Sequence, residues 1–303
     1  MAVRNQIPNI LGLKNISSRL KRDVNLLVTR AKQTGIIEIP SQNNINISKN
    51  NLNTLTKIAL FLEWINLNET ENIRSSEETS KLIDSLLITL LKNKKFEIVA
   101  LLCPSYKKGV GTFGFNTTIG ESTKKGIHNT ALVKHKLTEL GFNVNTTIIF
   151  GDLVLENYEE ISKNNLWKEL EENIKSAEKY TKITDPEITF LKLSEYADAT
   201  KKIPIEGING EPNLIDKQTY DLVLKRNKNF YINQFGWNNA KVVQRTKILA
   251  CTYPVLGEFF RDNFKNFLFV YTANSLERAR MYQGNKEKSD PIPIFFPKKN
   301  SSN

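Results

Sequence analysis

FEIVALLCP, residues 96–104, is an apolar run broken only by Glu97 and closed by a proline. A strand buried on both faces of a parallel sheet reads this way, because each face needs apolar side chains. The pattern repeats downstream. Asn143–Phe150 is rich in β-branched residues and reads as a second strand, and Glu187–Leu193 reads as a third. Between them lie a helix over Glu121–Leu140, stopped by Gly141, and a strongly charged helix over Asn164–Tyr180. Strand, helix, strand, helix, strand within about 100 residues implies an α/β fold. Its parallel sheet is flanked by helices and joined by right-handed crossovers.

Upstream of this unit, residues 1–34 read as a loose leader and a basic amphipathic helix. Leu20, Val24, Leu27 and Ala31 recur at helical spacing, Arg19, Lys21, Arg22, Arg30 and Lys32 supply charge, and Gly35 is the expected stop. Ser41–Asn53 is an Asn/Ser-rich connector. The apolar run Ile58–Ile65 reads as a short strand leading into a polar stretch, Asn66–Glu78. A helix is expected from Glu77 to the lysines at 92–95. Toward the C-terminus, Lys201–Asp216 is a Gly- and Pro-containing loop, long enough to be functional or an insertion. Lys241–Asn263 reads as a helix kinked or broken near Pro254, whose ring and missing N–H oppose a helix interior. Phe267–Thr272 is a last strand, and SDPIPIFFPKK (289–299) a partly extended tail. The expected division is a basic helix and connector over 1–57, a main domain over 58–290 and a tail over 291–303.

At 303 residues the chain can bury a sizeable core, and 40% hydrophobic residues place it among globular chains. No apolar run reaches the roughly 18 residues of a membrane span. The longest, Leu82–Leu91, carries Asp84. The N-terminal stretch lacks the apolar core of a secretory signal, so a cytoplasmic protein with no membrane partner is expected. Cys103 and Cys251 lie outside any CxxC pattern, so no metal site is expected, nor a disulfide in a reducing compartment. A net charge of +11 favours a polyanionic partner, because each phosphate contact releases counterions. A solvated basic surface, or Asn and Lys richness inherited from an AT-rich genome, accounts for the same balance.

ILACTYPVLGEFFRDNFKNFLFVYTANSLERARMY, residues 248–282, carries the acid–base candidates Tyr253, Glu258 and Tyr282. A carboxylate on so apolar a segment must be hydrogen-bonded or do proton chemistry, since burying it bare is costly. Desolvation would raise the Glu258 pKa toward neutrality and suit it to proton transfer. A surface glutamate with Tyr253 as core filler is the equal alternative. ESTKKGIHNTALVKHKL (121–137) gathers Lys124, Lys125, Lys134 and Lys136 with one acid, Glu121, and holds His128 and His135. Seven residues apart, the histidines stand about 10 Å apart along a helix, too far to share a metal ion. Such a face suits phosphates, while Ala131, Leu132 and Leu137 could equally pack an ordinary amphipathic helix on the sheet. In the loop Tyr106–Gly120, Gly109, Gly111, Gly114 and Gly120 follow a strand directly, where glycines let a backbone approach a phosphate. Neither GxGxxG nor GxxxxGK[ST] is complete there. Cys103, Ser105 and Asp152 stand at carboxyl ends of strands, where open α/β sheets bind ligands. A buried structural cysteine is the simpler account of Cys103.

The order of these features resembles the tRNA-dependent cyclodipeptide synthases, Rossmann-like enzymes related to the catalytic domain of class I tyrosyl- and tryptophanyl-tRNA synthetases. The resemblance spans Ser76–Tyr282. It rests on a hydrophobic strand and loop, on TKKGIHNTALVKHKL (123–137) as a tRNA-binding helix, and on Phe150-Gly151-Asp152 as an F-x-D strand end. TYPVLGEFF (252–260) resembles the family's Tyr-x3-Glu helix, and ARMYQ (279–283) the segment of its later catalytic tyrosine. Three departures stand out. Tyr253 precedes Glu258 by five residues instead of four, with Pro254 between them. Gln283 replaces the usual His or Pro, and no Gly-x-Ser segment holds the nucleophilic serine that follows the family's first strand. With Ile58–Ile65 as that strand, the position falls on Ser75 or Ser76.

The resemblance implies a Rossmann-like enzyme that joins two aminoacyl groups from charged tRNAs into a cyclic dipeptide. Ser75 or Ser76 would hold the first group as an ester, and Glu258 would orient its amine and move protons with Tyr253 and Tyr282. Asp152 and Cys103 would contact substrate, and Lys124, Lys125, Lys134, Lys136 and His128 would hold tRNA phosphates. No cofactor is implied, because the tRNA ester is already activated, and no obligatory protein partner is evident. The residues also admit a Rossmann-like transferase of a small metabolite, using the Gly109–Gly120 loop and Asp152. A non-catalytic RNA-binding protein that uses the N-terminal basic helix is a third reading.

Overall fold

β1 (Lys95–Leu102) is the central strand of the sheet, and its side chains alternate between two separate cores. The computed structural model describes residues 17–37, 47–68, 76–93, 95–107, 114–152, 165–195, 215–264, 267–271, 276–284, 294–295 and 297. β2 (Asn143–Phe150), β3 (Thr189–Lys192), β4 (Phe267–Val270) and β5 (Ile294–Phe295) complete a parallel sheet in the order β3-β2-β1-β4-β5. The reading of the sequence as an α/β, Rossmann-like parallel sheet flanked by helices therefore holds.

Phe96, Ile98, Ala100 and Leu102 of β1 face one core together with Ile148, Phe150, Leu268, Val270 and Phe295. Val99 and Leu101 face the other with Ile149, Phe267, Phe269 and Ile294. Period-2 alternation in a strand buried on both sides produces this division. The first core is closed by α1 (Ser18–Gln33), α2 (Lys49–Asn68), α3 (Ser76–Leu87), α4 (Glu121–Glu139) and α5 (Trp167–Thr184). α6 (Lys217–Asn227), α7 (Asn239–Asn263) and α8 (Leu276–Met281) close the second.

The expected stops at Gly35 and Gly141 are present, at φ +66° and +78°, the left-handed region that favours glycine. α1 begins at Ser17, whose Oγ accepts the Leu20 N–H at 3.2 Å. It packs into the first core through Val24, Leu27, Val28 and Ala31, and Arg30 clasps Asp84 of α3 at 2.6 and 2.8 Å. At the other end of the chain, β5 pairs with β4, and Phe295 stacks 5.8 Å from Trp64 of α2.

Two elements differ from expectation. Ile58–Ile65 is not a strand but the centre of α2. Leu55, Ile58, Ala59, Phe61 and Ile65 are buried at mainly three- to four-residue spacing, the helical period. An apolar run of eight residues fits either structure, and the helix becomes visible only when Leu55 is counted. α7 is one continuous helix through Pro254. A proline in a helix interior costs about 3 kcal/mol. Around it, Leu249, Leu256, Phe259 and Phe260 are buried, each contributing roughly 1.5–3 kcal/mol, so packing outweighs the lost hydrogen bond. The leader over 1–16 and the loop residues 201–214 lie outside the described residues. No helix among the described residues is long and apolar enough to cross a membrane.

Candidate active site

In this strand order the chain leaves β1 toward one face and β4 toward the other, so their carboxyl ends border a crevice suited to a ligand. β1 delivers Cys103, Pro104 and Ser105 there. Gly120, the N-cap of α4, donates its N–H to Ser105 Oγ at 2.8 Å, and Thr123 Oγ1 lies 3.0 Å from the same oxygen. The Ser105 N–H donates to Asn173 Oδ1 of α5 at 3.3 Å. Asn173 is fully buried and gives its own amide to the carbonyls of Asn116 and Thr118, at 2.7 and 3.2 Å. One side chain thus fixes both the exit of β1 and the approach to α4.

Between those points the chain turns back on itself. Tyr106 bridges Phe115 in antiparallel sense, Lys107 N–H donates to the Gly114 carbonyl at 2.9 Å, and Asn116 N–H to the Ser105 carbonyl at 2.8 Å. Glu169 of α5 latches this hairpin by accepting Lys107 Nζ at 2.5 Å and Phe115 N–H at 3.1 Å. The Lys107 hydrogen bond holds the Glu169 carboxyl below the ordinary carboxylate range, against burial and with help from the Phe115 N–H. Gly109 and Gly111 lie outside the described residues.

Neither serine expected as nucleophile is seen at the end of a strand. Ser75 lies outside the described residues, and Ser76 is exposed at the start of α3, not at the end of a strand. Because Ile58–Ile65 is helical, the first strand among the described residues is β1, and the serine that follows it is Ser105. Cys103-Pro104-Ser105 then stands where the resemblance asks for Gly-x-Ser. A serine directly after this strand is legible in FEIVALLCPS (96–105) itself.

Tyr253 and Tyr282 are brought together, with ring centres 4.7 Å apart inside the second core beside Phe260, Phe269 and Tyr271. Glu258 is not with them. Five residues carry the helix about 140° past a full turn, and Glu258 is exposed to solvent. Gly257 occupies the position facing Tyr282, and a Cβ there would overlap the Tyr282 carbonyl oxygen. Of the two sequence readings of Glu258, the surface glutamate is the one seen.

Asp152 follows β2 as expected, but both carboxylate oxygens bind Ser194 past β3, accepting its N–H at 3.1 Å and its hydroxyl at 2.5 Å. Cys103 is half-buried, and Cys251 is buried, which pushes its thiol pKa up; neither is in a disulfide. On α4, Lys125, His128 and His135 are exposed, while Lys124 and Lys136 bind Glu121 and Glu139 at 2.9 and 3.2 Å. Lys134 differs from the phosphate-binding expectation. It is 7% exposed and donates to Asp185 at 2.8–2.9 Å and Glu187 at 2.7 Å. Burial works to lower its pKa, and the hydrogen bonds and charges of the two acids outweigh that and raise it. Lys134 joins α4 to the start of β3.

No protein-family model and no curated protein matches the chain. Among solved structures, the PvcA protein from Pseudomonas aeruginosa is similar with a TM-score of 0.51 at 8% identity, over 79% of this chain and 88% of that one. The tyrosyl-tRNA synthetase from Archaeoglobus fulgidus, solved with L-tyrosine, aligns with a TM-score of 0.43 at 12% identity. That alignment covers 78% of this chain and 63% of the synthetase. The likeness to PvcA is one of fold alone, a Rossmann-like α/β architecture.

Proposed function

We propose that the chain is an aminoacyl transferase that draws on charged tRNA and joins two aminoacyl groups into a cyclic dipeptide, with Ser105 as the acceptor hydroxyl. The observation that carries this reading is the position of Ser105 after the first strand, its Oγ taking the N–H of Gly120 at the head of the lysine-bearing helix α4. Ser105 Oγ attacks the carbonyl carbon of an aminoacyl ester, the bond to the ribose oxygen breaks, and the ribose hydroxyl leaves with the serine proton. The amine of the seryl-bound residue then attacks a second aminoacyl-tRNA ester and releases that tRNA. The new terminal amine attacks the seryl ester, closing the ring and restoring the hydroxyl. Gly120 N–H offsets negative charge that develops on Oγ, and Thr123 Oγ1 is placed to exchange its proton. Tyr253 and Tyr282 are the phenolic proton carriers, and Lys124, Lys125, Lys136 and His128 meet tRNA phosphates.

The test is mass spectrometry of extracts from bacteria expressing the protein, beside a Ser105→Ala control of matched fold by circular dichroism. New masses equal to two amino-acid residues, absent from the control, are expected. Their absence from cells holding folded wild-type protein, or their persistence in the control, overturns the reading. A transferase of a small metabolite is favoured less, because the Asp152 carboxylate that would hold its cofactor is taken by Ser194.

A further inference from the structure

Between Asp221 and Glu258 the chain has no carboxylate side chain, yet it carries Lys225, Arg226, Lys228, Lys241, Arg245 and Lys247. These residues belong to the end of α6, a π-helical turn over Lys228–Ile232, a short turn Asn233–Phe235 and the first half of α7. The same segment leaves apolar side chains in water: Leu222 is 43% exposed, Phe230 42% and Ile232 36%. Leu222, Arg226 and Phe230 follow at four-residue steps, the spacing that keeps helical side chains on one side.

Phe230 is held by an aromatic cluster. Its ring meets Tyr231 edge-on at 5.1 Å and Phe235 edge-on at 5.7 Å. Tyr231 stacks on Trp237 at 4.6 Å and 7°, and Lys241 Nζ lies 4.0 Å from the Trp237 ring centre. Phe235 in turn lies 6.2 Å from Tyr106, the neighbour of Ser105. The exposed ring is therefore held by rings that lead through Phe235 to Tyr106, the residue after Ser105.

A ring anchored in water, Lys225 and Lys228 close to it in the chain, Arg226 paired with Glu277 at 2.6 Å, and the exposed amides of Asn229, Asn233 and Gln234 match the needs of an unpaired nucleic-acid strand. A membrane surface would ask for a continuous apolar face, and here amides interrupt it. We propose that this face binds single-stranded RNA, with a base stacked on Phe230 and adjacent phosphates on Lys225 and Lys228. The proposal rests on the aminoacyl-tRNA reading for the identity of that strand, the unpaired acceptor end that crosses Phe230 on its way to Ser105.

The test is fluorescence anisotropy of the full chain with a labelled single-stranded RNA octanucleotide, which needs no catalysis. Phe230→Ala is expected to weaken binding about tenfold, the effect of one lost base stack, and Phe230→Trp to retain it. Lys225→Glu with Lys228→Glu should weaken binding and flatten its dependence on salt. Equal affinity of Phe230→Ala and wild type overturns the proposal, as does wild-type binding to phosphatidylserine vesicles without binding to RNA. Failure to find cyclic dipeptides leaves these binding outcomes unchanged, so the two readings can fail separately.

Discussion

Gly257 and Glu258 are neighbours with opposite consequences. The Gly257 α-carbon lies so near the Tyr282 carbonyl that a methyl group would overlap backbone, which cannot rotate away as a flexible side chain could. Gly257→Ala should therefore lose about 3 kcal/mol of stability in urea unfolding, the upper range of overpacking, and separate the Tyr253 and Tyr282 rings. Glu258→Gln, on the exposed face, should change stability by less than about 0.5 kcal/mol and leave any product intact. A Glu258→Gln variant that folds normally but makes no product would restore the carboxylate to the site. The sequence showed Tyr253 and Glu258 together on one apolar segment, and that closeness was misleading. Five residues separate them, and helical phase, more than distance along the chain, decides which side chains meet.

The hairpin after β1 depends on α5, an element some fifty residues further on. Glu169 holds Lys107 and Phe115, and Asn173 holds Ser105, Asn116 and Thr118. Such contacts join residues 54–68 apart, so no local pattern announces them. By contrast, β1, α4 and β2 were legible because their periodicity and their glycine stop are local signals. The latch has a defined pH behaviour. The folded Glu169 carboxyl titrates below its unfolded value, so its contribution is present above the ordinary carboxylate range and fades as pH falls through the lower folded value. In an NMR titration the Phe115 amide proton should follow that depressed value. Lys107→Ala should move the midpoint up toward an ordinary glutamate, and Glu169→Gln should abolish it. A Phe115 amide that does not respond to acid in the wild type would mean that the latch is not made in solution.

At the scale of the molecule, the sheet divides the chain into two cores that β1 joins, and each edge of the sheet closes differently. Beyond β2, β3 is tied back by Lys134 through Asp185 and Glu187 and by Asp152 through Ser194. Beyond β4, the described residues that pair are Ile294 and Phe295, a strand too short to carry a periodic signal and legible only as part of an extended, proline-rich tail. Yet both side chains are buried, Ile294 in one core and Phe295 in the other against Trp64. A chain ending at residue 290 loses both, at roughly 1.5–3 kcal/mol each, and uncovers the outer edge of β4. It should unfold at a lower temperature and self-associate on warming, measured by differential scanning fluorimetry with light scattering. Phe295→Ala in the full chain isolates the packing part and should cost about 3–5 kcal/mol, because the cavity lies beneath Trp64 and α2 cannot collapse into it without moving Phe61 off Phe96 of β1. If the shortened chain melts with the full one, the second core is closed by α6, α7 and α8 and β5 is only an adjunct. If the point variant falls as far as the truncation, the stability that the tail contributes lies in one ring.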